Sequence, residues 1–196
     1  MLPSRQEIEN ALIGSWELVR GRAQGINRFD LTVDGFWRSF SVLFLLLPFY
    51  VVAVAADRKL GLVLGDQEAV MSGASFYTAK MVALVMDWVT YPVVLAFLAG
   101  TIGIKSTYGP YITVRNWTTI LVIVPYTVLN LLFLIGILSG EALVFSSLLV
   151  VGWIMWFRFF IAIKIAQASF GLAVGMVVMD FFLGLVITQL VTRLFW

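Results

Sequence analysis

Five long apolar stretches dominate the chain and predict membrane-spanning segments. They cover approximately Phe36–Ala56, Phe76–Gly100, Trp117–Ser139, Ala142–Ala166 and Ser169–Phe195. Each is close to the ~20 residues that a helix needs to cross about 30 Å of hydrocarbon. The stretches lack the alternating polarity of barrel strands, so only helices satisfy their backbone groups inside lipid. The pattern predicts an all-α polytopic membrane protein with a five-helix transmembrane domain over residues 36–196.

The first 35 residues are polar and form a separate N-terminal segment. They contain no apolar core followed by a small-residue cleavage site, so we do not expect a signal peptide. Ser4 followed by Glu7 is typical of a capping box. Apolar side chains then recur at helical spacing, at Ile8, Leu12, Trp16 and Val19. The pattern predicts an amphipathic helix over about residues 5–22, which packs on the membrane domain, lies in the headgroup layer or docks a partner.

The connections between the spans are short. The second, Thr101–Asn116, contains the turn-forming run Tyr108-Gly109-Pro110-Tyr111, and the third is only Gly140-Glu141, which predicts an antiparallel hairpin. Only a few polar residues mark the fourth boundary, so spans four and five meet either in a kink or in a loop. Kinks are also expected at the three prolines within spans, Pro48, Pro92 and Pro125.

The distribution of basic residues predicts the orientation of the chain. With the N terminus inside, nine lysines and arginines fall on the cytoplasmic side and four on the other. Basic residues favour the cytoplasmic side, so we expect a cytoplasmic N terminus and a C terminus on the opposite side. Short loops and the absence of cysteine favour a bacterial inner membrane, which would place the C terminus in the periplasm.

Composition narrows the chemistry available to the chain. Hydrophobic residues make up 61% and charged residues 12%, whereas about a quarter of the residues of soluble domains are charged. Without histidine or cysteine, the chain lacks the usual ligands of transition metals and the commonest general base. No catalytic or nucleotide-binding motif is present, and a net charge of +2 gives no reason to expect nucleic acid. We therefore expect a non-enzymatic protein without metal or cofactor.

A few polar residues are predicted at membrane depth, where each charge costs several kcal/mol. Asp87 and Asp180 lie near the middle of spans two and five, and Asn130 lies at comparable depth in span three. Lys80 and Tyr91 belong to the span of Asp87, with Lys80 on its face. Both aspartates could join helices through hydrogen bonds, relay a proton or ion, or form an edge that binds another subunit. We expect them to be mainly structural and uncharged, unless a basic partner such as Lys80 is near.

Two basic residues near the predicted cytoplasmic end of span four are candidates for contact with lipid headgroups. Arg158 lies among tryptophans and phenylalanines, which is typical of an arginine that extends through an aromatic belt to the interface. Lys164 follows at the boundary of the span. Contact of either side chain with lipid phosphate is the functional alternative.

The layout resembles the Yip1 domain family over about residues 30–190. Members carry an aspartate-leucine-glycine-proline motif before span one, for which this chain has Asp30-Leu31 and then Gly35-Phe36-Trp37, without the proline. Their tyrosine-glycine-tyrosine motif is matched by Tyr108-Gly109-Pro110-Tyr111, with an inserted proline. The resemblance implies a non-enzymatic membrane protein, which in eukaryotes serves vesicle trafficking and partner binding and in bacteria mostly has no assigned function.

Two functions from different classes remain. The first is a scaffold or accessory subunit that binds membrane lipids, other integral membrane proteins or a second copy of itself. The alternative is a small proton- or ion-coupled transporter that uses Asp87 and Asp180, with a membrane enzyme as a third possibility. A transporter requires a water-accessible cavity that reaches both aspartates, whereas packing seals them in a scaffold.

Overall fold

The protein is an all-helical integral membrane protein. A computed structural model describes residues 2–70 and 73–195. The helices are α1 (Arg5–Val19), a 3-10 helix (Ala23–Arg28), α2 (Val33–Ser39), α3 (Val42–Leu64), α4 (Gln67–Val70), α5 (Gly73–Ala99), α6 (Tyr108–Leu134), α7 (Gly140–Lys164) and α8 (Phe170–Leu194). Within the described residues, five segments are long and apolar enough to cross a membrane: α2 with α3, α5, α6, α7 and α8. The predicted all-α polytopic fold with five spans is confirmed.

The third span begins earlier than the sequence pattern predicts. Helix α6 starts at Tyr108 instead of Trp117, and Tyr108-Gly109-Pro110-Tyr111 forms its first turn instead of a loop. Proline is tolerated there because backbone N–H groups in the first turn have no partner within the helix. The prediction of a connection up to Asn116 was therefore wrong, and Arg115 belongs to the membrane span.

The last two connections are also displaced from their predicted positions. Gly140 and Glu141 open α7 instead of forming the link, which is made by residues 135–139 with Gly136 at a φ of 83°. The boundary between α7 and α8 is a loop and not a kink. Gln167 in that loop has a φ of 55°, and the Ser169 hydroxyl caps α8 by accepting from the Leu172 N–H.

The first span is broken between α2 and α3 at Phe40 and Ser41. Side chains from other helices satisfy polar groups at the break. The Trp88 indole N–H donates to the Phe40 carbonyl at 3.2 Å, and the Asn116 amide donates to the Ser39 hydroxyl at 3.0 Å. Because these bonds come from α5 and α6, they hold the broken span against the bundle.

The N-terminal segment folds onto the bundle beside α2. The Arg38 guanidinium contacts Glu7 of α1 at 2.8 Å and Asp30 at 2.5 Å. The buried face of α1 consists of small residues and one leucine, namely Ala11, Gly14, Ser15 and Leu18. Trp16, which the predicted apolar stripe includes, is 55% exposed. The helix is present and capped by Ser4, and Ile8 and Val19 of the predicted stripe pack against the core, but the amphipathic pattern as a whole is not confirmed.

Two ends of the bundle are distinguished by their connections. At the end that carries α1, here called the N-side, the Thr107 hydroxyl donates to the Ala166 carbonyl at 2.8 Å, which joins two loops. At the opposite end, the C-side, the Lys59 ammonium donates to the carbonyls of Phe133 and Leu134 at 3.0 and 3.1 Å. The main hydrophobic core lies in the N-side half of the spans and includes Leu46, Leu95, Trp117, Phe157 and Ile161.

Candidate functional site

Each of the five spans contributes a polar or charged side chain to one partly open cavity of the bundle. The cavity has a volume of about 490 Å³, and we call it the central cavity. Its polar lining includes Tyr50 of α3, Asp87 of α5, Arg115 of α6, Arg158 of α7 and Asp180 of α8. At 1.5 Å per residue, Asp180 lies about 15 Å from the start of α8 and Asp87 about 18 Å from the end of α5. Both aspartates therefore lie deep within the spans, as predicted from their positions in the sequence.

Arg115 and Asp180 form a buried ion pair. The Arg115 guanidinium lies 2.6 Å from an Asp180 carboxylate oxygen, and the two side chains are 7% and 17% exposed. The guanidinium also lies over the Tyr91 ring, 4.4 Å from its centroid. The Tyr91 hydroxyl is in turn 2.8 Å from that of Tyr111. Asp180 therefore has the kind of basic partner that the expectation named as its exception, and that partner is Arg115 instead of Lys80.

Arg158 lies inside the protein instead of extending to the headgroups. It is 8% exposed, and its guanidinium donates to the Arg115 carbonyl at 2.8 Å and to the Thr119 hydroxyl at 2.7 Å. The predicted contact of Arg158 with lipid phosphate is therefore wrong. Both of its acceptors are neutral, and no carboxylate among the described residues pairs with it.

Asp87 is the carboxylate of the cavity without a partner in the part of the chain that the structure describes. It lines the central cavity but takes part in no hydrogen bond or ion pair there. A Cβ atom at Gly184 would lie 3.1 Å from its Oδ1, so the carboxylate lies against the backbone of α8. Gly184 is one turn beyond Asp180, which places the two carboxylates along the same face of that helix.

A second cavity of about 400 Å³ adjoins the central one. The two share Tyr50, Leu84, Asp87, Arg115, Arg158 and Thr188. The second cavity is also lined by Lys80 and Asp57, whose ammonium and carboxylate are 2.6 Å apart. Each lies about 10 Å from the C-side end of its helix, so the second cavity extends from the buried charges toward the C-side.

The remaining predicted residues have different surroundings. Asn130 is buried and donates to the Tyr126 carbonyl at 2.9 Å, on its own helix, and it lines neither cavity. Tyr91 lies behind Arg115 and contacts its guanidinium. Lys164 is exposed in the last turn of α7, where contact with a headgroup stays a prediction.

Arg115 was not predicted as a site residue, because the sequence pattern assigned it to the second connection. A signal was present in the sequence. Arg115, Thr118 and Thr119 have the spacing of one helix face, and a proline such as Pro110 is accepted in the first turn of a helix.

Among the described residues, no group of three or more acidic side chains could hold a metal ion. Comparison with protein-family models, curated proteins and solved structures finds no match for this chain. The resemblance to the Yip1 domain family stays a prediction.

Proposed function

We propose that this integral membrane protein is a small proton-coupled carrier in which Asp87 binds the proton. The observation that carries the proposal is the central cavity, to which all five spans contribute a polar or charged side chain. Charged groups at this depth are costly in a membrane and are typical of pathways for ions and protons.

The pairing of the four charged side chains supports different roles for the two aspartates. Asp180 is held by Arg115 at 2.6 Å, so neutralising its carboxylate would disrupt a buried ion pair. Asp87 has no such partner among the described residues and faces the cavity. It is therefore the carboxylate that can change its protonation state without breaking a contact.

The cavities extend toward one end of the bundle and are closed by packed side chains toward the other, which also supports a carrier. Toward the C-side, the cavities reach the exposed Asp57 carboxylate. Toward the N-side, the path meets the hydrogen-bonded Tyr91 and Tyr111, which are 0% and 1% exposed, and the tightly packed core around Phe157. Access from one side at a time is what alternating-access transport requires.

A scaffold or accessory subunit would need no charged cavity. Lipid and partner binding follow from any membrane location, whereas a cavity that reaches both aspartates is what we expect of a transporter. We retain from the sequence the proposals of a non-enzymatic protein, a bacterial inner membrane and a cytoplasmic N terminus. Under that orientation, the cavities extend toward the periplasm.

Reconstitution into vesicles tests the proposal. Protein-containing vesicles enclose a pH-sensitive dye, and a mixture of small solutes is added outside because a coupled carrier moves protons only together with its solute. We expect proton flux through the wild-type protein and flux at the level of protein-free vesicles for Asp87→Asn, since asparagine cannot bind and release a proton. Asp34→Asn, at an exposed position outside the cavity, is the matched control and should retain wild-type flux.

Thermal stability of the purified variants is measured in parallel. Asp87→Asn should unfold at the same temperature as the wild-type protein, because no contact is lost. Equal proton flux through the wild-type protein and Asp87→Asn would contradict the proposal.

A further inference from the structure

The unequal pairing of charges in the central cavity indicates what kind of solute it binds, if the proposed carrier function holds. Two guanidinium groups and two carboxylates line this cavity. The Arg115–Asp180 pair is neutral as a unit, which leaves Arg158 and Asp87 as opposite charges that do not touch each other. A buried charge without a compensating partner is costly, so Arg158 requires a negative charge in the cavity.

That negative charge comes from Asp87 when it is ionised. When Asp87 takes up a proton, the described lining of the cavity carries one excess positive charge at Arg158. The other charged or titratable groups that line the cavity with Asp87 are Tyr50 of α3, Arg115 of α6 and Asp180 of α8. A bound monovalent anion then restores neutrality, whereas a cation would add to the excess.

The shape and polarity of the walls indicate the rest of the solute. Apolar side chains of α7 and α8 form much of the remaining lining of the cavity, namely Val151, Ile154, Met155, Val177, Phe181 and Leu185. A guanidinium presents a planar fork of donors that matches the two oxygens of a carboxylate. Arg158 uses two of its nitrogens on neutral acceptors, and its positive charge remains for the ligand.

We propose that the central cavity binds a monocarboxylate with an apolar tail, together with a proton on Asp87. The carboxylate lies at Arg158, and the tail lies between the apolar faces of α7 and α8. Such a molecule is either a free small solute or a fatty acid from the membrane, and the two sources share the chemistry of the site.

Binding of defined probes to the full chain in lipid nanodiscs tests this proposal by calorimetry. The probes are hexanoate, hexanol and hexylammonium, which have the same tail with negative, neutral and positive heads. We expect hexanoate to bind at least about tenfold more tightly than the other two, and its affinity to rise by up to about tenfold for each unit of falling pH while Asp87 titrates. Dodecanoate distinguishes the sources, because binding of dodecanoate without hexanoate assigns the site to a membrane fatty acid.

Two variants separate the roles of the charges. Arg158→Gln keeps donors for the two neutral acceptors but removes the charge, and it should weaken carboxylate binding at least about tenfold. Asp87→Asn imitates the protonated acid, so binding should become tight and independent of pH. Tighter binding of hexylammonium, or carboxylate binding that neither substitution changes, would overturn the proposal.

The binding and flux experiments together distinguish a failure of this binding site from a failure of the proposed carrier function. Carboxylate binding that depends on Arg158, without proton flux that depends on Asp87, would leave the binding site standing and remove the transport function. Flux that depends on Asp87, without binding of any carboxylate, would remove only the solute assignment.

Discussion

Asp87 and Asp180 lie at similar depth but have opposite surroundings. Asp180 touches the Arg115 guanidinium at 2.6 Å, while Asp87 contacts no charged group directly among the described residues. Removing one member of a buried ion pair leaves an uncompensated charge, which costs more than removing an unpaired carboxylate.

We expect Asp180→Leu to lower the free energy of unfolding by about 3–5 kcal/mol, because Arg115 is left buried without its partner. Asp87→Leu should cost less, since Asp87 compensates the charge of Arg158 only across the cavity and makes no direct bond to a described residue. Chemical unfolding in detergent measures both changes. The double substitution Arg115→Leu with Asp180→Leu is the control and should recover most of the loss, and equal costs for the two single substitutions would contradict this assignment.

Depth was predictable for these residues, whereas pairing was not. The position of an aspartate within an apolar stretch gives its distance from the membrane surface through the helical rise. Its partner is set by which helices pack together, and Arg115 lies far away in the sequence. Arg158 shows the same limit, because a neighbouring run of aromatic residues is equally compatible with an interfacial belt and with a buried helix face.

At the scale of the secondary-structure element, the least predictable boundary was the start of α6. Polar residues before Trp117 are typical of a loop. In the structure, however, Thr113, Arg115 and Asn116 belong to α6 and are all buried in the protein. Polarity alone does not separate a loop from a helix whose polar side chains find partners inside the bundle. The five spans themselves were predicted because hydrocarbon thickness imposes their length.

The Asp30 carboxylate joins the segment before α2 to the start of that helix. Asp30 accepts hydrogen bonds from the Thr32 hydroxyl at 2.6 Å and from the Thr32 N–H at 3.0 Å, and it pairs with Arg38. Mainly through the Thr32 hydroxyl, these contacts hold the pKa of Asp30 below its usual value of 3.8. A lowered pKa gives stability that is present above the unfolded pKa and is lost as the pH falls through the folded pKa.

We therefore expect acid to loosen α1 from the bundle as the pH falls below about 4, the usual range of the carboxyl pKa. Ser15→Cys reports this change, because Ser15 is fully buried on the packed face of α1 and the native chain has no cysteine. Its reaction with an acid-compatible pyridyl disulfide should accelerate over this range. In an Asp30→Asn background, labelling should be faster at the higher pH and should rise less on acidification, and an unchanged pH dependence would refute the role of Asp30.

For the whole molecule, the orientation in the membrane is predicted from the basic residues in the N-terminal segment, in the connections and toward the ends of the spans. Burial removes Arg115 and Arg158 from the count for the N-side. The remaining N-side residues are Arg5, Arg20, Arg22, Arg28, Arg38, Lys105 and Lys164, against Arg58, Lys59, Lys80 and Arg193 toward the C-side. The excess still predicts a cytoplasmic N terminus.

Single cysteines in intact cells test this orientation. An impermeant thiol reagent should label Asp66→Cys, in the exposed connection between α3 and α5, but not Ser4→Cys. Trp196→Cys, at a position outside the described residues, should also be labelled. Labelling of Ser4→Cys without permeabilisation would reverse the topology.

For α3 and α5, the next span in the chain is not the main packing partner. The most extensive contacts between spans join α3 to α6 and α5 to α8, while α5 touches α3 and α6 much less. During synthesis, α5 therefore enters the bilayer before its partner α8 has been made. Arg115 of α6 likewise cannot pair with Asp180 until α8 is present. Assembly of the bundle depends on synthesis of the last span, because that span completes both the ion pair and the wall of the central cavity.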